Sequence, residues 1–257
     1  MGWEIRMLNF YGSLSAEVYD LDKPIGFSFG DVEFYKERLT GVNGDILEPA
    51  VGTGRFMIPL LKNGWTVDGF DISEKMLNIC REHCKKRGLN PVLTINKMET
   101  FSFDQTYEAI IIPTGTFLLL HERENSIQAL KNFYHHLAQG GKLIFDVFLQ
   151  TEFETGKNST RTWKCENDDT ITLENTLVEV DYINQFTVSH NRYEKWHKGN
   201  LDQTELERFS LRWYGVEELT LILEGIGFSD IIVSAGYKYG EYPTASDQSI
   251  TFEAIKK

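Results

Sequence analysis

Cysteine is scarce in this chain: Cys80, Cys84 and Cys165 are the only three among 257 residues. Three thiols do not make a disulfide framework. Cys80, His83 and Cys84 share helical spacing, but two thiols and one imidazole without a second Cys/His cluster fall short of a structural zinc site. No metal is therefore expected, and free half-buried thiols on an amphipathic helix point to a reducing, cytoplasmic setting. Long apolar runs are lacking as well. The longest, Ala109 to Leu120, has 12 residues and is broken by Pro113 and Gly115. That is too short to span a bilayer, so no membrane partner is expected. The start, Met1-Gly2-Trp3-Glu4-Ile5-Arg6, has no apolar stretch of the signal-peptide kind. Basic residues are outnumbered, 26 against 38 acidic, for a net charge of −12. Affinity for a phosphate backbone comes from Lys and Arg, so DNA is not an expected partner and RNA is disfavoured. Lys85-Lys86-Arg87 is a local exception, at a predicted helix end where cations complement the macrodipole. Internal repeats and low-complexity linkers are absent.

What is present is a nucleoside-type βαβ pattern. Asp45-Ile46-Leu47-Glu48-Pro49-Ala50-Val51-Gly52-Thr53-Gly54-Arg55 reads as a short apolar strand running into an acid and a glycine loop. Val67-Asp68-Gly69-Phe70-Asp71 is a second strand ending in a carboxylate, 19 residues after Gly52. Glycines let the backbone approach a ligand, and the acid accepts from ribose hydroxyls. Two details argue against a dinucleotide and against a nicotinamide enzyme. Met57 stands where G-x-G-x-x-G has its third glycine, and Glu48 would repel a phosphate while suiting a cationic ligand such as S-adenosylmethionine.

These residues resemble motifs I and II of the class I S-adenosylmethionine-dependent methyltransferases. Asp71-Ile72-Ser73-Glu74-Lys75-Met76-Leu77 resembles that family's D-x-S-x-x-M-L run, and Leu137-Ala138-Gln139-Gly140-Gly141-Lys142-Leu143 its Gly-Gly turn before the fifth strand. The resemblance covers residues 40–150, and 214–257 more loosely. It implies an α/β fold: a doubly wound, mostly parallel seven-stranded Rossmann-like sheet, with an antiparallel β insertion. It also implies S-adenosylmethionine as cofactor and S-adenosylhomocysteine as product.

Along the chain, residues 1–30 read as a helix and loop lying across the site, and Asp31 as the N-cap of a helix over 32–40. Strands are expected at 44–48, 65–70, 92–96, 107–112 and 142–148. Helices are expected at 54–63 with Gly64 as its stop, at 74–87 capped by Ser73, and at 123–138. From 151 to 213 the pattern becomes antiparallel, with strands 160–166, 170–182, 186–197 and 203–213 around turns 167–169, 183–185 and 198–200. Helix 216–224 ending near Gly225, strand 229–236 and strand 249–255 complete the chain. The organisation expected is a cofactor-binding domain over 1–150 and 214–257, with 1–30 as an N-terminal lid segment, and an antiparallel lid over 151–213. That insertion resembles the β-sheet lid of small-molecule methyltransferases, including sugar-amine and glycine N-methyltransferases. Arg212 to Leu219, followed by Gly225-Ile226-Gly227-Phe228, resembles the family's return to the core.

The resemblance assigns Ala50, Gly52 and Gly54 to the methionine part of the cofactor, with Glu48 on its ammonium side. It gives Asp71 the ribose hydroxyls and Ile72 a face of the adenine. Arg55, Met76 and Pro113 join this cofactor set. The acid that normally accepts from the adenine amino group is replaced by Lys97, which has no acceptor. Met98 is left to flank the ring and Glu99 to substitute as acceptor. In resembling enzymes an N-terminal tyrosine closes over the methionine carboxylate. Tyr11 and Tyr19, eight residues apart, are the candidates and could share one helix face.

Methyl transfer from a sulfonium is a direct displacement, so the protein mainly aligns the partners and excludes water. A base is needed only for a protonated acceptor. His121, just past the fourth strand, is the candidate base, with Tyr11 beside it; the alternative is a surface histidine at a helix start. Thr114, Phe117, Trp196, Arg212 and Tyr214 are the acceptor-binding candidates. Pro113-Thr114-Gly115 departs from the N/D-P-P-Y/F pattern of base-amine methyltransferases. The expectation is an S-adenosylmethionine-dependent enzyme that methylates N or O of a small molecule, as a monomer or homodimer. A tRNA or rRNA methyltransferase on the same core, and a non-catalytic cofactor-binding protein, are the rival readings.

Overall fold

The computed structural model describes residues 11–151, 153–165 and 168–257. Residues 1–10 of the expected lid segment, and Asn167 of the expected 167–169 turn, lie outside them.

The chain begins with helices α1 (Ser13–Asp22) and α2 (Asp31–Arg38) and then alternates. β1 (Ile46–Pro49), α3 (Met57–Lys62), β2 (Val67–Asp71), α4 (Glu74–Lys85), β3 (Leu93–Ile95) and β4 (Tyr107–Ile112) follow. A 3-10 turn (Thr116–Leu119) leads to α5 (Arg123–His136) and β5 (Leu137–Val147). Four strands come next: β6 (Asn158–Lys164), β7 (Asp169–Asp181), β8 (Phe186–His197) and β9 (Asn200–Arg212). α6 (Val216–Ile226), β10 (Phe228–Ala235) and β11 (Ile250–Lys256) close the fold.

Seven strands form one sheet in the order β10-β11-β5-β4-β1-β2-β3. The first five strands run parallel, and β10 and β11 pair antiparallel at one end. β1 pairs with β2 on one side and β4 on the other. The chain therefore switches direction across the sheet at β1, and a crevice opens outside the carboxyl ends of these strands. The short unbroken apolar runs of β1 and β4 are explained by burial on both faces. One face carries Leu130, Phe133, Leu219 and Leu223 of α5 and α6; the other carries residues of α2, α3 and α4. Each fully buried Leu, Ile or Phe stabilises the fold by roughly 1.5–3 kcal/mol.

β6-β7-β8-β9 form a separate antiparallel sheet. Its β8–β9 turn has two successive positive φ values, 48° at Lys198 and 82° at Gly199, a twist that suits a hairpin. The sheet packs Ile171 and Tyr193 against Leu14 and Val18 of α1. Asp22 accepts from Trp163 Nε1 at 2.6 Å and from Arg161 at 2.7 Å, and Glu17 pairs with Lys195 at 2.9 Å. α1 is thus clasped to the insertion.

Several boundaries differ from the sequence reading. β5 starts at Leu137 instead of 142, because Leu137 pairs with Tyr107 before the register shifts to Ala109–Lys142. Gly140 and Gly141 sit inside that irregularity, where a Cβ on Gly141 would lie 2.9 Å from Ala138 O. α2 is capped by Gly30, and Asp31 is its first residue. α3 starts only at Met57, because residues 52–56 are spent in the glycine turn. α6 runs to Ile226 and stops at Gly227, φ 119°, two residues later than expected.

Candidate active site

A cavity of about 260 Å³ opens at the switch point. Its floor comes from the ends of β1 and β2 and from residues 96–99 after β3. Its other walls are the 3-10 turn with His121, the tyrosines around α1, and residues 207–210 of β9.

The glycine loop folds tightly at the floor. Ala50, Gly52 and Gly54 have φ of 52°, 56° and 90°. Ala50 holds a conformation that a side chain disfavours, the kind of local strain seen at binding loops. A Cβ on Gly52 would point toward the cavity, with Tyr19 Cε1 at 3.8 Å as its one neighbour within 4 Å. A Cβ on Gly54 would instead lie 2.8 Å from Cys80 Sγ. Gly52 keeps space for a ligand, and Gly54 lets α4 pack behind the loop.

Asp71 holds the loop from β2. Its Oδ2 accepts from Gly52 N at 3.0 Å and its Oδ1 from Ser73 N at 2.8 Å. Burial pushes its carboxyl up, and the amides of Ser73 and Gly52 pull it back. Each carboxylate oxygen keeps a further lone pair for hydroxyl donors. Ile72, 45% exposed, Met76 and Met98 supply apolar wall beside it, and Glu99 is a neighbouring acceptor.

Glu48 lies at the end of β1, 3% exposed, and its buried Oε2 has no hydrogen-bond partner. Burial raises its carboxyl well above the usual range, while Arg55 and the Met57 amide lower it. Arg55 is buried against Phe56 and Phe29 and pairs with Asp31 at 2.6 Å. Glu48, Gly54 and Arg55 stand behind the cavity wall rather than on it.

Over the glycine loop Tyr11 and Tyr19 meet edge to face, with centroids 5.8 Å apart. Tyr11 precedes α1, so they meet through a bend in the chain and not along one helix face. Tyr11 O accepts from Ser73 Oγ at 2.6 Å, which ties this segment to the start of α4. His121 lines the cavity, with Nε2 3.2 Å from Glu122 Oε1. Burial pushes its imidazole down, toward the neutral form.

The remaining sequence candidates lie outside the lining. Pro113 is buried, and Thr114, φ 60°, donates its amide to Asp146 at 2.8 Å. Phe117 packs between Phe145 and Tyr214 in the core, where the Tyr214 hydroxyl also bonds Ser126. Trp196 donates to Thr172 Oγ1 within the insertion. Arg212 donates to His121 O at 2.8 Å, so it positions the candidate base from behind. None of these six residues, expected to touch the acceptor or, for Pro113, the cofactor, is among those that line the cavity. The structure instead adds Phe70, Asn96, Thr116 and the β9 residues Glu207, Arg208, Phe209 and Ser210.

Residues 46–141 match a methyltransferase domain family. The chain carries this methyltransferase domain and is an S-adenosylmethionine-dependent methyltransferase. It is similar to YqeM of Bacillus subtilis (strain 168), provisionally named a methyltransferase, with 27% identity over 217 residues, covering 83% of this chain and 84% of YqeM. Its fold is shared by an S-adenosylmethionine-dependent methyltransferase from Clostridium acetobutylicum ATCC 824, at TM-score 0.74 and 17% identity over 94% of this chain and 97% of that one. The sugar N-methyltransferase KedS8 from Streptoalloteichus sp ATCC 53650 matches at TM-score 0.72 and 18% identity, with both chains covered fully. The methyltransferase site fits its cofactor on its own terms. The unpartnered Glu48 oxygen suits a cationic ligand, the Gly52 side of the loop is open, and Asp71 presents acceptors to hydroxyls.

Proposed function

We propose that this methyltransferase moves a methyl group to a nitrogen or oxygen of a small molecule, with nitrogen the favoured acceptor atom. The observation that carries the reading is one continuous cavity, from Asp71 on the sheet to Glu207 on the antiparallel insertion. The floor matches the nucleoside pattern, and the β9 wall and α1 roof it. A roofed cavity of about 260 Å³ suits a compact acceptor, and a chain of net charge −12 suits nucleic acid poorly. The fold shared with a sugar N-methyltransferase supports nitrogen.

In this reading residues 151–213 form the acceptor lid, and 1–150 with 214–257 the cofactor domain. Asp71 accepts from the ribose hydroxyls; Ile72, Met76 and Met98 flank the adenine, with Glu99 or Asn96 at its edge. Ala50 and Gly52 present the loop backbone to the methionine part, and Gly54 lets α4 pack behind them. Glu48 supplies negative charge beneath its ammonium, and Tyr19 covers it. Arg55, held by Asp31, braces the loop. When bound, S-adenosylmethionine supplies a methyl carbon already activated by positive sulfur, which leaves as a neutral thioether. The chain's own work is alignment, exclusion of water and handling of one proton. His121, whose imidazole burial shifts toward the neutral form, accepts the proton of a protonated acceptor so that its lone pair is free to attack. Tyr11 closes the cavity beside it.

Calorimetry with S-adenosylmethionine, followed by assay of S-adenosylhomocysteine release across amino sugars, free amino acids and alcohols, tests the proposal. Tight binding with turnover of at least one small acceptor is expected. Binding with turnover only on RNA would overturn it.

A further inference from the structure

We infer that Glu207 is the specificity residue of the acceptor end, where its free Oε1 holds a positively charged group of the acceptor. The inference rests on the reading of this cavity as the methyl-transfer site. Glu207 is 2% exposed and lines the cavity from β9. Its Oε2 is occupied, accepting from Asn191 Nδ2 at 2.9 Å and Tyr193 OH at 3.4 Å. Among the described residues none donates to Oε1, and no lysine or arginine pairs with the carboxylate. The neighbouring cation is committed elsewhere: Arg208 donates to Ser210 Oγ at 2.6 Å and lies 3.9 Å from Glu179.

Glu205, two residues earlier, is a useful contrast. Its oxygens accept from Leu14 N, Ser15 N and Ser15 Oγ at 2.8–3.0 Å, so its charge is spent on the N-terminus of α1. Glu207 has no such outlet among the described residues. A buried carboxylate without a cation is costly, and a ligand cation recovers part of that cost. The groups facing it are Glu205 and Arg208 from β9, Asn191 and Tyr193 from β8, and Tyr11 before α1. Burial and the charge of Glu205 push its carboxyl up, while Asn191 and Tyr193 pull it back. Among the described residues two carboxylates thus keep an unpartnered oxygen around this site, Glu207 on the cavity wall and Glu48 behind it. Glu48 stands under the cofactor, and Glu207 faces the acceptor.

The test uses the whole protein saturated with S-adenosylhomocysteine and two probes of one shape, benzylammonium and benzyl alcohol, titrated by calorimetry. Wild type is expected to prefer the ammonium at least about tenfold. Glu207→Gln, which keeps the shape and removes the charge, is expected to abolish that preference at unchanged S-adenosylhomocysteine affinity. Glu207→Asp, which keeps the charge but draws it back, is expected to restore part of it. Equal binding of the two probes by wild type, no binding of either, or a preference retained in Glu207→Gln would overturn the inference. So would loss of S-adenosylhomocysteine binding in both variants, which would mark Glu207 as structural. Failure of wild type to bind S-adenosylhomocysteine would instead count against the underlying site reading, so the two failures are told apart.

Discussion

At Asp71 both oxygens already accept backbone amides, from Gly52 and Ser73, and the side chain still lines the cavity. The same carboxylate shapes the loop and offers acceptors to the ligand. Asp71→Ala is expected to weaken S-adenosylmethionine binding at least tenfold, about 1.4 kcal/mol, read by calorimetry. Asp146 makes a second residue-scale prediction. It is buried at the end of β5, accepting from Tyr35, Thr251, Tyr237 and the Thr114 amide. Burial outweighs these donors and pushes its carboxyl up to about 6. Between the ordinary aspartate value and 6 the folded protein keeps a proton that the unfolded chain has lost. This group therefore lowers stability as pH rises through that window, by roughly 3 kcal/mol in total, and changes nothing above it. A carboxyl-carbon NMR titration should find its midpoint near pH 6; a midpoint near 4 would contradict this. Legibility also divides at this scale. Gly52, Gly54 and Asp71 could be read from sequence because their backbone geometry and spacing are local. Glu207 could not, since its burial depends on strands and a helix brought together by the fold.

At the scale of elements, the join between α1 and the insertion decides whether the cavity has a roof. Glu205 on β9 accepts three donors at the first turn of α1, acting as an N-cap supplied from another element. Glu205→Ala is expected to cost about 1–2 kcal/mol in urea unfolding and to speed amide exchange across Ser13–Asp22. Unchanged exchange there would show that α1 is held by its apolar contacts alone. The parallel strands and the Ser73-capped helix α4 were legible in sequence, because continuous apolar runs and capping residues are local signals. The β5 boundary was not. Its register shift places two glycines inside a strand where they read as a turn. The aromatic candidates failed for a related reason. Phe117 and Tyr214 look alike as core residues or as ligand contacts until their neighbours, Phe145 and Ser126, are known. Arg212 likewise looked like a ligand contact, whereas it holds His121 O.

At the scale of the whole molecule, a seven-stranded sheet and a four-stranded sheet meet over one crevice. The proposed cofactor half comes from a nearly continuous stretch, which is why its pattern shows in the sequence. The proposed acceptor half is assembled from residues near 11, 121 and 207, which line one cavity but lie far apart in sequence. The sulfur should therefore lie between a nucleoside end at Asp71 and an acceptor end at Glu207. A crystal structure with S-adenosylhomocysteine measures this directly. The account predicts ribose hydroxyls on Asp71, the homocysteine part along Ala50–Gly52, and the sulfur facing the space before His121 and Glu207. A ligand seated elsewhere, or with its sulfur turned away from β9, would contradict it.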